Sequence, residues 1–241
     1  MLSFLRRRDD DTDQAGLVLV RRTVAEDVDV LRDEVDALTR LVAAHAEHAA
    51  DDELRSDLDR ATSSMTAAQR PLDGAEDVAE ATSHLATARL ALASAASRVT
   101  GEPLPELPTV CFFDARHGLA TAQPRWTEPG HGTRVLPACA ACAARIADGA
   151  RPDVRTVEVG GHAVAYWGAG EVFRAYGQGY FPALPDEAGA ALAGAGAVFH
   201  TGQPRHVTDR HDVTASMARY GYYAGASETG PGGNVGGGFS G

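Results

Sequence analysis

The stretch Val24-Ala-Glu-Asp-Val28-Asp-Val-Leu31-Arg-Asp-Glu-Val35-Asp-Ala-Leu38-Thr-Arg-Leu-Val42 decides how the first half of this chain folds. Its apolar residues Val24, Val28, Leu31, Val35, Leu38 and Val42 recur at alternating intervals of four and three. That alternation holds an apolar seam on one face of a helix, the pattern of helices that pair along their length. Between the seam positions lie Glu26, Asp27, Asp29, Arg32, Asp33, Glu34 and Arg40, which read as the solvated face. The periodicity starts at Leu17. Residues 1–14, dense in charge, read as a disordered arm.

Downstream the seam loses phase near Ala49 to Asp52 and restarts at Leu54, Leu58, Ala61, Met65 and Ala68. Pro71 stops it, because proline removes a donor and clashes with the previous turn. A third run carries Val78, Leu85, Leu92 and Val99, with Ala81, Ala88 and Ala95 between them. Gly101 and Pro103 close this run. Residues 15–101 are therefore expected to form an antiparallel helical hairpin or coiled-coil bundle. The seam points to self-association or to a protein partner along residues 17–100.

Residues 102–108 (Glu-Pro-Leu-Pro-Glu-Leu-Pro) read as a stiff linker. Beyond it the composition changes. Residues 109–182 contain all three cysteines, both tryptophans and short β-like runs. In Arg155 to Trp167 two alternating runs flank Gly160-Gly161, a hairpin signal because a type I′ turn needs positive φ at both central positions. Residues 183–219 are Ala/Gly-rich with several histidines and read as weakly ordered. Residues 220–241, rich in Gly and Tyr, cannot support a core and read as a disordered tail. The expected class is α+β: a helical bundle, then a small zinc-ribbon or treble-clef-like β module, then the tail.

Among 241 residues there are 33 acids and 22 basic residues, every one of the latter Arg, for a net charge of −11. A chain without Lys has no Schiff-base chemistry and no P-loop lysine. Its acidity argues against nucleic acid as a partner, since that needs a cationic face. The 45 Ala against 15 aromatics predict thin helical packing without a single large core. No apolar run approaches the ~20 residues of a membrane span. Three cysteines, an odd and low number, suit a reducing cytoplasm better than a disulfide scaffold.

Those cysteines carry the chemistry. Cys139 and Cys142 form a C-x-x-C pair entering a short helical run, where the helix N-terminus favours thiolates. Cys111-Phe-Phe-Asp-Ala-Arg-His117 offers a second pair, and residues 116–135 form a loop or hairpin that brings the two together. Structural zinc takes four N/S ligands, commonly as two close pairs. Cys111, His117, Cys139 and Cys142 supply that set, with His131 as the rival fourth ligand. Asp114 either orients a ligand histidine or caps a turn. No G-x-S-x-G, H-E-x-x-H or P-loop occurs. His200, His206 and His211 sit in a polar stretch that reads as a solvated loop.

The runs Cys111-Phe-Phe-Asp-Ala-Arg-His117-Gly, Val135-Leu-Pro-Ala-Cys139-Ala-Ala-Cys142 and Val164-Ala-Tyr-Trp167 resemble a group of uncharacterised actinobacteria-like proteins. Those proteins place a helical region before a Cys/His zinc-knuckle-like module and end in a Gly-rich tail. The resemblance spans residues 50–182 and implies architecture, with no activity attached. The functional expectation is a non-enzymatic interaction or scaffold protein with a structural zinc. One alternative is a zinc-dependent hydrolase-like enzyme. There Cys111, Cys139, Cys142 and a water would bind the metal, and Asp114 or His117 would serve as general base. A second alternative is a thiol–zinc redox sensor.

Overall fold

A computed structural model describes residues 2–45, 48, 50–104, 107–128 and 132–182, with side chains from Gln14 onward. Three long helices come first: α1 (Leu2–Ala44), α2 (Asp52–Ala67) and α3 (Ala75–Thr100). Their ends follow from local chemistry. The Asp51 carboxylate accepts the Leu54 N–H at 2.9 Å and caps α2. The Asp77 carboxylate accepts the N–H groups of Asp73 and Gly74 at the start of α3. Gly101, at φ 73°, terminates α3 in the left-handed conformation that glycine tolerates. The opening residues differ from expectation. Residues 2–14 continue α1 instead of forming a separate arm, since neither Gly nor Pro interrupts them.

The region that carries the cysteines is built from two antiparallel hairpins and a short helix. β1 (Arg125–Glu128) pairs with β2 (Gly132–Val135), and β3 (Thr156–Val159) pairs with β4 (His162–Ala165). Gly160 and Gly161 form the second turn at φ 59° and 80°, the positive values expected of their sequence. Between the hairpins runs α4 (Ala140–Ala147), and after them α5 (Glu171–Tyr180).

The three-helix region and the module share one core. Val24, Val28, Leu31, Val35 and Leu38 are buried within the chain, so the seam on α1 is filled by the protein's own elements. α5 packs against α3, and α1 touches α2, α3 and α5. The module's aromatics belong to the same apolar cluster, with Phe112 stacked on Trp167 at 5.1 Å and Tyr166 edge-on to Tyr176 at 5.4 Å. This corrects the expectation of no single large core. The aromatics are few, but they are concentrated where the hairpins meet the helices. At the α5–α3 crossing a Cβ on Gly179 would lie 2.1 Å from the Ala79 carbonyl oxygen and 2.0 Å from Thr82 Oγ1. The helices touch there because glycine has no side chain.

The solvated face of α1 needs a second correction. Asp29, Asp33 and Arg40 are exposed, but Asp27 and Glu34 are buried. The apolar stripe is as wide as that of a helix in a globular core, wider than a two-helix seam, and it takes in both acids. Glu34 is matched by a buried ion pair with Arg89 of α3. Among the described residues no helix is long and apolar enough to cross a membrane. The Ala/Gly segment, the histidines at 200, 206 and 211, and the Gly/Tyr tail lie outside the described residues.

Candidate metal centre

Three pieces of chain build the centre. The first is a knuckle from Cys111 to His117, closed by the pairing of Val110 with Leu119 and by the Cys111 N–H on the Gly118 carbonyl at 3.0 Å. Its crest is a single 3-10 turn, Ala115–His117, which Asp114 caps by accepting the Arg116 N–H at 2.9 Å. The second piece is the start of α4. Cys139 is its N-cap residue, and the Cys142 N–H approaches Cys139 Sγ at 3.5 Å. The third is the segment at Asp153. Its carbonyl lies 3.8 Å from Cys142 Sγ, and its carboxylate lies 3.7 Å from His117 Nε2.

One ligand atom from each of Cys111, His117, Cys139 and Cys142 falls in a group whose members all lie within 4.8 Å of one another. In a tetrahedral zinc site with bonds of about 2.0–2.3 Å, the ligand atoms stand about 3.3–3.8 Å apart. Cys142 Sγ and His117 Nδ1, at 3.5 Å, already fit that spacing. Three soft thiols and an imidazole are a donor set that zinc favours. The three cysteines are buried and form no disulfide, and the His117 ring is 9% exposed. The residues therefore fit a metal such as zinc.

Charge is distributed unevenly over the cluster. Burial opposes a charge on His117, but Asp153 and the thiols of Cys111 and Cys139 push its pKa up to about 11. Hydrogen bonds from Cys111 and Cys142 hold the Cys139 thiol well below its ordinary range, against its burial. The Cys142 thiol is pushed up, because Cys111 and Cys139 compete with it for charge and burial adds to the cost. Metal ligands must be deprotonated, so a divalent cation held by these groups would displace protons from them.

The four residues named from the sequence as candidate ligands converge, while the rival His131 lies outside the described residues. Asp114 has the capping role, and it meets His117 through its backbone carbonyl, which accepts the His117 N–H at 3.0 Å. Its oxygens take the Arg116 guanidinium at 2.6–3.1 Å, and that pairing outweighs burial and holds its carboxyl far below the usual range. Sequence reasoning missed Asp153, which presents its carboxylate to the ring nitrogen facing away from the thiols. Carboxylates in that position orient metal-bound histidines in many sites. The Cys-x10-Asp spacing is no recognised signal, so nothing in the sequence pointed to it.

A buried ionic cluster behind the knuckle was missed as well. The Arg155 guanidinium pairs with Asp27, donates to the Thr23 carbonyl at 3.0 Å and to Glu26 at 2.9 Å, and lies 3.8 Å from Asp114. The hydroxyls of Tyr176 and Tyr180 donate to the other Asp27 oxygen at 2.7 and 2.9 Å. Every polar group in the cluster has a partner, which is what allows charges to stay buried. Burial, reinforced by the Asp27 charge, raises both tyrosine pKa values well above the ordinary range.

No protein-family model, curated protein or solved structure matches the chain. The resemblance noted in the sequence thus reduces to what the structure itself contains: a Cys3His cluster consistent with a zinc-knuckle-like module.

Proposed function

We propose that the protein is a non-enzymatic interaction protein whose C-terminal module is held together by a structural zinc bound to Cys111, His117, Cys139 and Cys142. The observation that carries this reading is the convergence of four ligand atoms, from three buried cysteines and a half-buried histidine on two separate chain segments. Four protein ligands fill a tetrahedral zinc and leave no position for water or substrate. The order of elements also supports a treble-clef-like module: a knuckle with two ligands, a β-hairpin, then a helix whose N-terminus brings the other two. The general-base role considered for Asp114 loses support, since two arginines occupy its carboxylate. Three unpaired cysteines suit a reducing cytoplasm. Because the α1 seam is filled internally, a protein partner of residues 17–100 would engage the outward faces of the helices, where Val18 is exposed.

Metal analysis of the full chain, purified under reducing conditions, tests the proposal. The expected result is one zinc per chain, lost in Cys111→Ser, Cys139→Ser and Cys142→Ser. A chain that folds and binds no metal overturns it. A His117→Ala variant that keeps both metal and fold overturns the closed four-ligand site.

A further inference from the structure

Two short segments of the module each face both ways. In the knuckle, Cys111 and His117 point into the metal centre, while Asp114 between them joins the buried ionic cluster beside Arg155. In the segment Asp153–Arg155, Asp153 faces His117 and Cys142, while Arg155 clasps Asp27 and the Thr23 carbonyl on α1. The two segments are tied directly, since the Arg155 N–H donates to the Phe113 carbonyl at 2.8 Å. On the far side, α5 reaches the same carboxylate through Tyr176 and Tyr180. Hence no residue of the cluster can move without disturbing a ligand of the centre or a helix of the core.

We propose that occupancy of the Cys3His centre controls how firmly α1 and α5 are docked, through the buried Asp27–Arg155–Asp114 cluster. The inference rests on the zinc reading and adds a regulation to it: the helices report the state of the metal site. With metal bound, the knuckle is fixed, Asp114 and Arg155 are held in register, and Asp27 keeps its counter-ion. With metal removed, the knuckle loses its anchor. The buried charges are then no longer held in matched positions, and the contact most sensitive to that mismatch is the one between Arg155 and α1. α2 packs mainly against α3 and supplies no residue to the knuckle or the cluster, so it lies outside this route. Coupling of this kind is reciprocal: the factor by which bound metal strengthens the clasp equals the factor by which a formed clasp strengthens metal binding.

Hydrogen exchange by mass spectrometry on the full chain, zinc-loaded and chelator-treated, reads the first arm. Metal removal is expected to lower protection about tenfold or more around residues 20–28 of α1 and 173–180 of α5, with residues 54–65 of α2 unchanged. The second arm is zinc affinity, measured by competition with a chromophoric chelator, for Tyr176→Phe and Tyr180→Phe. These variants remove one donor each from Asp27, lie outside the metal ligands and leave the core volume almost unchanged. The double variant is expected to bind zinc about fivefold or more weakly. Exchange that rises equally in all helices, or only in residues 109–155, overturns the proposal while the zinc site stands. So does unchanged affinity in the double variant. A chain that takes up no zinc overturns both readings together.

Discussion

The three-helix region and the Cys/His module reach order by different means. In α1–α3 the order is repetitive: small and branched aliphatic side chains recur along helices, with leucines such as Leu31, Leu38, Leu54, Leu85 and Leu92 among the buried ones. No single contact there is special, and stability is a sum of many similar terms. The module has short strands and one short helix, and its order is concentrated in a few groups that have no substitute. These are the four candidate ligands, the stacked aromatics around Trp167, and the charges on Asp114, Glu128 and Arg155. Glu128, for example, is fully buried, accepts the Trp167 indole N–H at 3.1 Å and pairs with Arg134. Distributed order tolerates substitution, and concentrated order does not.

The sharpest way to break this contrast is to remove one ligand. Structural zinc contributes on the order of 10 kcal/mol to small sites. Cys142→Ser is therefore expected to abolish the near-ultraviolet circular dichroism of the module's Trp residues while most of the far-ultraviolet helix signal remains. Loss of both signals together would mean that the two regions are one cooperative unit. Next in size is Asp27→Ala, which takes from buried Arg155 its most buried carboxylate partner and leaves it half-exposed Glu26 and the more distant Asp114. It is expected to cost about 3–5 kcal/mol in chemical denaturation, and Asp27→Ala combined with Arg155→Met less than the sum of the two. Additive losses would show that the clasp is not a pair.

Gly179→Ala places a methyl group on the Ala79 backbone and is expected to cost about 1–3 kcal/mol by the same measurement, as overpacking does. Asp153→Asn keeps the shape of the carboxylate and removes its charge. It is expected to weaken zinc binding by about 10–100-fold with little change in fold, by chelator competition and circular dichroism. The smallest effect belongs to Arg32→Ala, which removes an exposed pair with Asp29 on α1. A change of Tm corresponding to more than about 1 kcal/mol there would contradict the idea that order in the helices is distributed.

What the sequence made readable follows the same divide. The three periodic runs located α1, α2 and α3, and Pro71 and Gly101 marked their ends, because helix periodicity and capping are local rules. Gly160-Gly161 located the second hairpin for the same reason. The C-x-x-C pair and the Cys111–His117 knuckle named the cluster, since ligand chemistry is written in residue types. What stayed unreadable depends on long-range pairing. Arg155 meets Asp27 across 128 positions, and Arg89 meets Glu34 across 55. An acid beside a seam looks solvated until its partner is known. Asp114 lies between two candidate ligands in sequence and gives its carboxylate to arginines, whereas Asp153 is remote from the knuckle in sequence and beside it in space.

Asp27 and Glu34 stand one heptad apart along the same edge of the α1 stripe. Each is neutralised by an arginine that arrives from one particular place, Arg155 from the module and Arg89 from α3. A foreign helix laid on this face would have to offer two cations at the same seven-residue interval, or leave two carboxylates dry and unmatched. The pair therefore acts as a password. It admits the chain's own elements to the stripe, fixes the register in which they lie, and turns away apolar helices that would otherwise find so regular a seam attractive.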